Sequence, residues 1–232
     1  MAHARPGYGG GRFVSTILAA ACGILAAWSG YVLFQEASPY FVSGVTVDAK
    51  IEALAAGRLA AGPSLFSQRM ALDDCLLAIG APKVRAGPRS VRDQILAQCA
   101  GLAAEIVTSV PSHSYGWLVA AWVAGEQRDY PKLSERIELS QSTSRSEGWL
   151  ARARVALAER FADELAASAT AAVDDDIRLL ISHSRDIAAM VDRYVARESF
   201  RRRIDRLLQR VPAEAQARFI QSVRARLSEA GR

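Results

Sequence analysis

The chain has 232 residues, a formal net charge of +5 and only three lysines among its 29 basic residues. Arginine in place of lysine is typical of GC-rich bacterial genomes, so the basic balance is weak evidence for a polyanionic ligand. The sequence contains no GxSxG motif, no P-loop and no CxxC or HxxxH spacing, and so predicts no catalytic, cofactor or metal residues.

An apolar segment near the N-terminus predicts a membrane anchor. Residues 1–12 form a basic, glycine-rich tail without an acid, and residues 13–34 carry no charge. These 22 residues, as a helix rising 1.5 Å per residue, span the roughly 30 Å hydrocarbon core of a bilayer. Trp28 and Tyr31 lie toward the far end, where an aromatic belt is expected. The first acid follows at Glu36.

The distribution of charge around this segment predicts its orientation. By the positive-inside rule the tail stays in the cytoplasm, and the chain from residue 35 onward lies outside. We therefore predict a single-pass protein of the bacterial inner membrane with a periplasmic C-terminal part.

Three alternatives for the apolar segment compete with an uncleaved anchor. A cleaved signal peptide needs an apolar core of only about 7–15 residues, whereas this run continues past the small cluster at residues 19–21. A lipoprotein would be modified at Cys22, but a further apolar stretch follows that residue. A buried core helix of a soluble protein does not explain the basic tail. The anchor accounts best for both the length and the position.

Residues 35–110 are predicted to be helical and to contain a disulfide. Apolar residues recur at helical spacing around Cys75 and around Cys99, so each thiol lies on the apolar face of its helix. A turn rich in glycine and proline, residues 80–88, separates the two helices. Two such thiols in an oxidising compartment tend to pair. We predict a bridge between them, with two buried free thiols as the alternative.

Residues 111–172 contain an internal repeat. Residues 116–124 (GWLVAAWVA) match residues 148–156 (GWLARARVA) at an offset of 32. Each unit is predicted to be a helix, a polar turn and a second helix. Trp117 and Trp149 are predicted to be core residues of the two units rather than a stack for a ligand.

The repeat unit resembles a tetratricopeptide repeat. It shares an early tryptophan in the first helix and small alanines where the partner helix must approach. It departs from that pattern in its period, and in Ile137 where the second helix usually carries a large aromatic residue. Two helical hairpins that merely look alike are the alternative. Ser144 and Glu147 predict a capping box at the start of the second unit.

Residues 173–232 are predicted to form arginine-rich helices. Asp174 to Asp176 could belong to a DxD metal motif, but we interpret them as acids at a helix N-terminus, where they complement the helix dipole. The densest basic cluster is a candidate contact for a polyanion such as anionic lipid or acidic polysaccharide. It consists of Arg201, Arg202, Arg203 and Arg206. A solvated helix face is the alternative, and a periplasmic location disfavours nucleic acid.

No segment shows sustained period-two alternation, so the predicted fold class is all-α: one transmembrane helix followed by stacked antiparallel hairpins. Further helices are predicted near residues 47–59 and 90–109. The tail, the anchor and the repeat, with Pro111, Gly116-Trp117-Leu118 and Ser146-Glu147-Gly148-Trp149, resemble small membrane-anchored accessory proteins encoded with bacterial exopolysaccharide biosynthesis genes.

That resemblance implies a non-catalytic scaffold that binds proteins of an envelope or exopolysaccharide complex, and it carries over no functional residue. The alternative hypothesis is an enzyme that acts on cell-envelope glycan with a pair of carboxylates. A pocket with two converging carboxylates would favour the enzyme, and a groove without them would favour the scaffold.

Overall fold

The computed structural model describes residues 9–230, with side chains from 14 to 229. The described part of the chain is 82% helical and contains no strand, which confirms the all-α prediction. Its helices are α1 Gly9–Ser43, α2 Val47–Ala55, α3 Leu65–Gly80, α4 Pro82–Ala86, α5 Arg89–Ser109, α6 Ser114–Glu126, α7 Tyr130–Thr143, α8 Gly148–Arg160, α9 Ala167–Ser182, α10 Ile187–Ala196, α11 Glu198–Leu208 and α12 Ala213–Ala230.

The first helix is longer than the apolar run from which it was predicted. It begins at Gly9, so the last residues of the predicted tail are helical, and residues 1–8 of that tail lie outside the described residues. The stretch Val14–Ser43 is long and apolar enough to cross a membrane, and none of its most apolar window is buried. Its 30 residues correspond to about 45 Å of helix. Its final turns pack against α2 and α3.

A cluster of hydrogen bonds, the Glu36 clamp, fixes α1 to the body and consists of Glu36, Ser64 and Ser67. The Glu36 carboxylate accepts hydrogen bonds from the Ser64 N–H at 3.1 Å, the Ser67 hydroxyl at 3.0 Å and the Ser64 hydroxyl. Ser64 is also the N-cap of α3. A Cβ at Gly62 would lie 2.9 Å from the Glu36 carboxylate and 3.0 Å from the Gln35 carbonyl oxygen, so only glycine permits this approach. Helix α1 therefore contacts the body directly.

A disulfide joins α3 to α5. Cys75 and Cys99 are bonded, their Cα atoms are 5.7 Å apart, and both side chains are fully buried. The glycine- and proline-rich segment between the two helices, predicted to be a turn, contains the short helix α4. The bridge thus crosslinks two helices at the centre of the N-terminal half of the core.

The helices that follow pack as successive hairpins. A three-residue turn, with Arg128 at a φ of 63°, connects α6 to α7, and a longer connection joins α8 to α9. Helix α6 also packs against α3 and α5, and α8 packs against α6, so α3, α6 and α8 lie side by side. Helices α10, α11 and α12 cover α9.

One hydrophobic core runs through the body from Ile51 to Phe219. The boundary predicted between residues 172 and 173 falls inside α9, so it does not separate two units. The predicted segments 35–110, 111–172 and 173–232 share this core because every hairpin packs on the next.

Two helix starts were predicted wrongly. Helix α8 begins after Glu147 without a side-chain cap, and that carboxylate accepts from the Trp149 indole N–H at 2.9 Å instead of completing a box with Ser144. Helix α9 begins at Ala167, so Asp174 to Asp176 lie in its middle rather than at its N-terminus. Neither N-cap residue, Glu147 or Ala166, makes a side-chain capping hydrogen bond.

Candidate functional site

The three adjacent helices α3, α6 and α8 enclose an open groove, here called the α3/α6/α8 groove. Its volume is about 350 Å³. Leu76 and Ile79 come from α3, Trp122 comes from α6, and Ala153 and Ala156 come from α8. Because the α8 positions are alanines, the two neighbouring helices do not fill the space between them. The groove is therefore mainly apolar, and Trp122 is its one aromatic residue.

Charged side chains border the groove at one end. Glu126 is almost fully buried and lies between two arginines, with Arg92 Nη2 at 2.5 Å and Arg160 Nη2 at 2.6 Å. The Arg160 guanidinium also lies 5.7 Å from the centre of the Trp122 ring, within the range of a cation–π contact. Arg85 lines the same groove. The one acid that lines the groove is thus already neutralised by arginines, and the rim of the groove is positively charged.

A second, polar hollow of about 540 Å³ adjoins the first and shares Glu126 with it. Arg89, Arg92 and Arg128 line this hollow, together with Asp93. The basic side chains outnumber the acids in both hollows. The combined surface offers apolar contacts at one end and cationic donors at the other, an arrangement that favours a ligand with an apolar part followed by carboxylates.

The two repeat tryptophans, predicted to be core residues, are not at the centre of the core. Both side chains are only partly buried. The Trp117 indole N–H donates to the Pro111 carbonyl at 2.8 Å, and Trp149 packs at the edge of the core with the Arg69 guanidinium 4.6 Å from its ring centre. The core positions belong to the next residues, Leu118 and Leu150, because successive helical residues point about 100° apart.

The residue that occupies the position of Trp122 in the second unit is Arg154, and it is fully buried. Its guanidinium donates to both oxygens of Asp176, from Nε at 2.7 Å and from Nη2 at 2.8 Å. The remaining donors reach the Ser140 carbonyl at 3.2 Å and the Ser144 carbonyl at 3.0 Å. Burial raises the pKa of the Asp176 carboxyl, against the opposing effect of the guanidinium. This ion pair links α7, α8 and α9.

The other two aspartates of the run also pair with arginines. Asp174 accepts from Arg203 Nε at 2.6 Å, and Asp175 accepts from Arg178. Each acid of the former DxD candidate therefore serves in an ion pair. Within residues 14–229, no group of three or more histidine, cysteine, aspartate or glutamate side chains is placed to hold a metal ion.

The arginine cluster of α11, the predicted polyanion contact, is largely used inside the chain. Arg201 donates to the Tyr194 and Val195 carbonyls at 3.2 and 3.1 Å, at the C-terminal end of α10. Arg202 pairs with Glu198 at 2.7 Å. Arg203 is held by Asp174, and Arg206 is exposed on the same helix. Three of the four guanidiniums thus have acceptors within the protein.

The residues of the α3/α6/α8 groove were not identified from the sequence. They come from three helices far apart in the chain, and each looks like an ordinary apolar position in its own helix. The sequence did contain one signal: when the two repeat units are aligned, Trp122 of the first unit corresponds to Arg154 of the second. Comparison with protein-family models, with curated proteins and with solved structures finds no match to this chain.

Proposed function

We propose that the protein is a membrane-anchored helical scaffold that binds a segment of a partner protein in the α3/α6/α8 groove. The observation that carries this proposal is the groove itself: an apolar channel across three helices that lie side by side, with a positive rim and one neutralised acid. Stacked hairpins of the tetratricopeptide type commonly present such a surface to peptides and helices.

The anchor in this proposal is α1, and the body lies on the periplasmic side of a bacterial inner membrane. The length and exposure of Val14–Ser43 support a membrane span. The basic tail and the absence of lysine and arginine from residues 13–49 support its orientation by the positive-inside rule. The Cys75–Cys99 bridge fits an oxidising compartment. Proteins of an envelope complex, including one for exopolysaccharide biosynthesis or export, are the partners that this position makes available.

The chemistry of the groove indicates the kind of segment that it accepts. Leu76, Ile79 and Trp122 offer contacts for apolar side chains, and an amphipathic helix presents such side chains at positions i and i+4. Arg89 and Arg128 in the adjoining hollow favour acidic residues at one end of that helix. The expected partner segment is therefore an amphipathic helix with an acidic end.

The groove is tested by filling it with a charged side chain. Ala156→Arg places a long cationic side chain in the α3/α6/α8 groove, whereas Ala171→Arg, on the exposed side of α9, is the matched control. Full-length protein is captured from crosslinked membranes. We expect the wild type and Ala171→Arg to retain the same envelope proteins and Ala156→Arg to lose them, with circular dichroism unchanged.

Two results would contradict the proposal. Recovery of the same envelope proteins in equal amount by Ala156→Arg would exclude the groove as the binding site, and recovery of no envelope protein by the wild type would exclude the scaffold role. The orientation is tested separately with a reporter fused after Arg232 that is active only outside the cytoplasm. Cytoplasmic activity would reverse the topology.

A further inference from the structure

A group of exposed apolar residues surrounds the junction of α1 with the body, and we call it the apolar collar. Its members are Tyr40, Phe41, Val45, Leu65 and Phe66. Phe41 is 83% exposed, Val45 is 97% exposed, and Leu65 and Phe66 are each 62% exposed. The rings of Tyr40 and Phe66 stack with their centres 6.4 Å apart. The collar thus combines residues of α1 and of the connection that follows it with the first turn of α3.

The collar continues the outer face of the apolar helix. Phe34 and Phe41 are seven residues apart, which places them two turns apart on the same face of α1, and both are exposed. Glu36 lies on the opposite face and is held by the body through the Glu36 clamp. The face of α1 that points away from the body therefore stays largely apolar from the proposed membrane span into the collar, with Ser38 as the polar residue between Phe34 and Phe41.

The part of the collar beside Glu36 lies at the height of the headgroup layer of a bilayer. The hydrocarbon core takes about 30 Å and the whole bilayer about 40–45 Å, so each headgroup layer is roughly 5–8 Å thick. If residues 14–34 cross the core, Phe41, seven residues after Phe34, lies about 10 Å beyond it and past the outer edge of that layer, whereas Glu36 lies about 3 Å beyond the core and within the layer. Because Ser64 contacts Glu36 directly, the first turn of α3 lies at this same level. Leu65 and Phe66 are thereby placed beside lipid rather than in bulk water.

We propose that Leu65 and Phe66 of the apolar collar insert into the headgroup layer, so that the N-terminal turn of α3 is a second membrane contact of the body. This inference rests on the proposed membrane anchoring by α1. Aromatic side chains are favoured at this depth. The largely apolar face of α1 favours lipid as the occupant over a second copy of the chain.

The test measures the depth of single labelled positions in the full-length protein. A cysteine replaces Phe66 in a Cys22→Ser background, carries an environment-sensitive fluorophore and is reconstituted into phosphatidylcholine and phosphatidylglycerol bilayers. Cys75 and Cys99 are bonded to each other and do not react in the absence of reductant. We expect a blue-shifted emission and the loss of most fluorescence when the lipids carry a nitroxide near the headgroup.

Two control positions separate the possible failures. A label at Leu25, in the middle of the proposed span, must be quenched by lipids that carry a nitroxide deep in the acyl chain if α1 crosses the bilayer. A label at Leu77, on α3 but twelve residues beyond Leu65, is 40% exposed in the protein and should stay unquenched. A second label at Leu65 covers the case in which the Phe66 variant does not fold.

Quenching at Phe66 or Leu65, without quenching at Leu77, supports the inference. Quenching at Leu25 alone overturns the collar contact but leaves the anchor in place. Absence of quenching at Leu25 refutes the anchor and the collar together. A blue shift at Phe66 that nitroxide lipids do not quench would assign the collar to a protein contact, such as a second copy, and would also overturn the inference.

Discussion

Removing the Asp176 carboxylate should strongly destabilise the body. The change leaves the fully buried Arg154 guanidinium without its counter-ion. Each hydrogen bond to a charged group contributes about 1.5–3 kcal/mol, so the loss of two predicts about 3–6 kcal/mol. That range agrees with the ~3–5 kcal/mol observed when one partner of a buried pair is removed.

The assay is urea unfolding of the full-length protein in detergent micelles, followed by tryptophan fluorescence and circular dichroism. Asp175→Ala is the matched control in the same helix, because Asp175 is half-exposed and pairs with Arg178 within α9. Its cost should be less than about 0.5 kcal/mol. The double variant Arg154→Met with Asp176→Leu removes both charges and should cost less than Asp176→Ala. A cost below about 1 kcal/mol for Asp176→Ala would refute the assignment of this pair as a buried link between hairpins.

Two further predictions concern the stability of the body. Burial lowers the pKa of His113, whose Nδ1 accepts from the Gly116 N–H at 2.8 Å, so the folded state resists protonation. The free energy of unfolding should therefore stay constant above pH 6.5, the ordinary pKa of histidine, and decline as the pH falls below it. His113→Asn keeps a hydrogen-bond acceptor at the N-cap but does not titrate, so urea titrations of this variant should show no such decline. An equal decline in the variant would contradict the prediction. Replacing Cys75 and Cys99 by serine should lower the free energy of unfolding by about 3.5 kcal/mol according to the loop-entropy model. The measurement is the difference in that free energy between the variant and the oxidised wild type. No difference would show that the bridge does not constrain the unfolded chain.

Local patterns were enough to predict most of the helices, though not α4, and several of their ends. The helix predicted at residues 90–109 is Arg89–Ser109 in the structure, because its apolar face repeats over five turns and Pro111 follows its end. The start predicted at Asp174 was wrong because the preceding alanine-rich residues from Ala167 lack a charge or apolar signal of their own. The acids find their partners on α8, α9 and α11, which is information that only the packed chain contains.

The candidate site was less accessible to sequence analysis than the fold. The repeat drew attention to the matching residues Trp117 and Trp149, yet the groove uses Trp122, where the two units differ. Residues that match between the two units occupy equivalent places in the core, and Leu118 and Leu150 are indeed both buried. The groove lies where the two units differ, and the residues that complete it on α3 are not part of either unit.

The Glu36 clamp has a consequence for the free energy of partner binding. A body on a flexible tether must give up tether motion when it docks, and that loss of entropy weakens the complex. Here α1 contacts α3 directly, so in the proposed anchored state little such motion remains to be lost. As α1 diffuses laterally in the bilayer, the groove then keeps a constant height above the membrane and a constant tilt. A partner that spans the same bilayer meets the groove by diffusion in two dimensions, which raises its effective concentration.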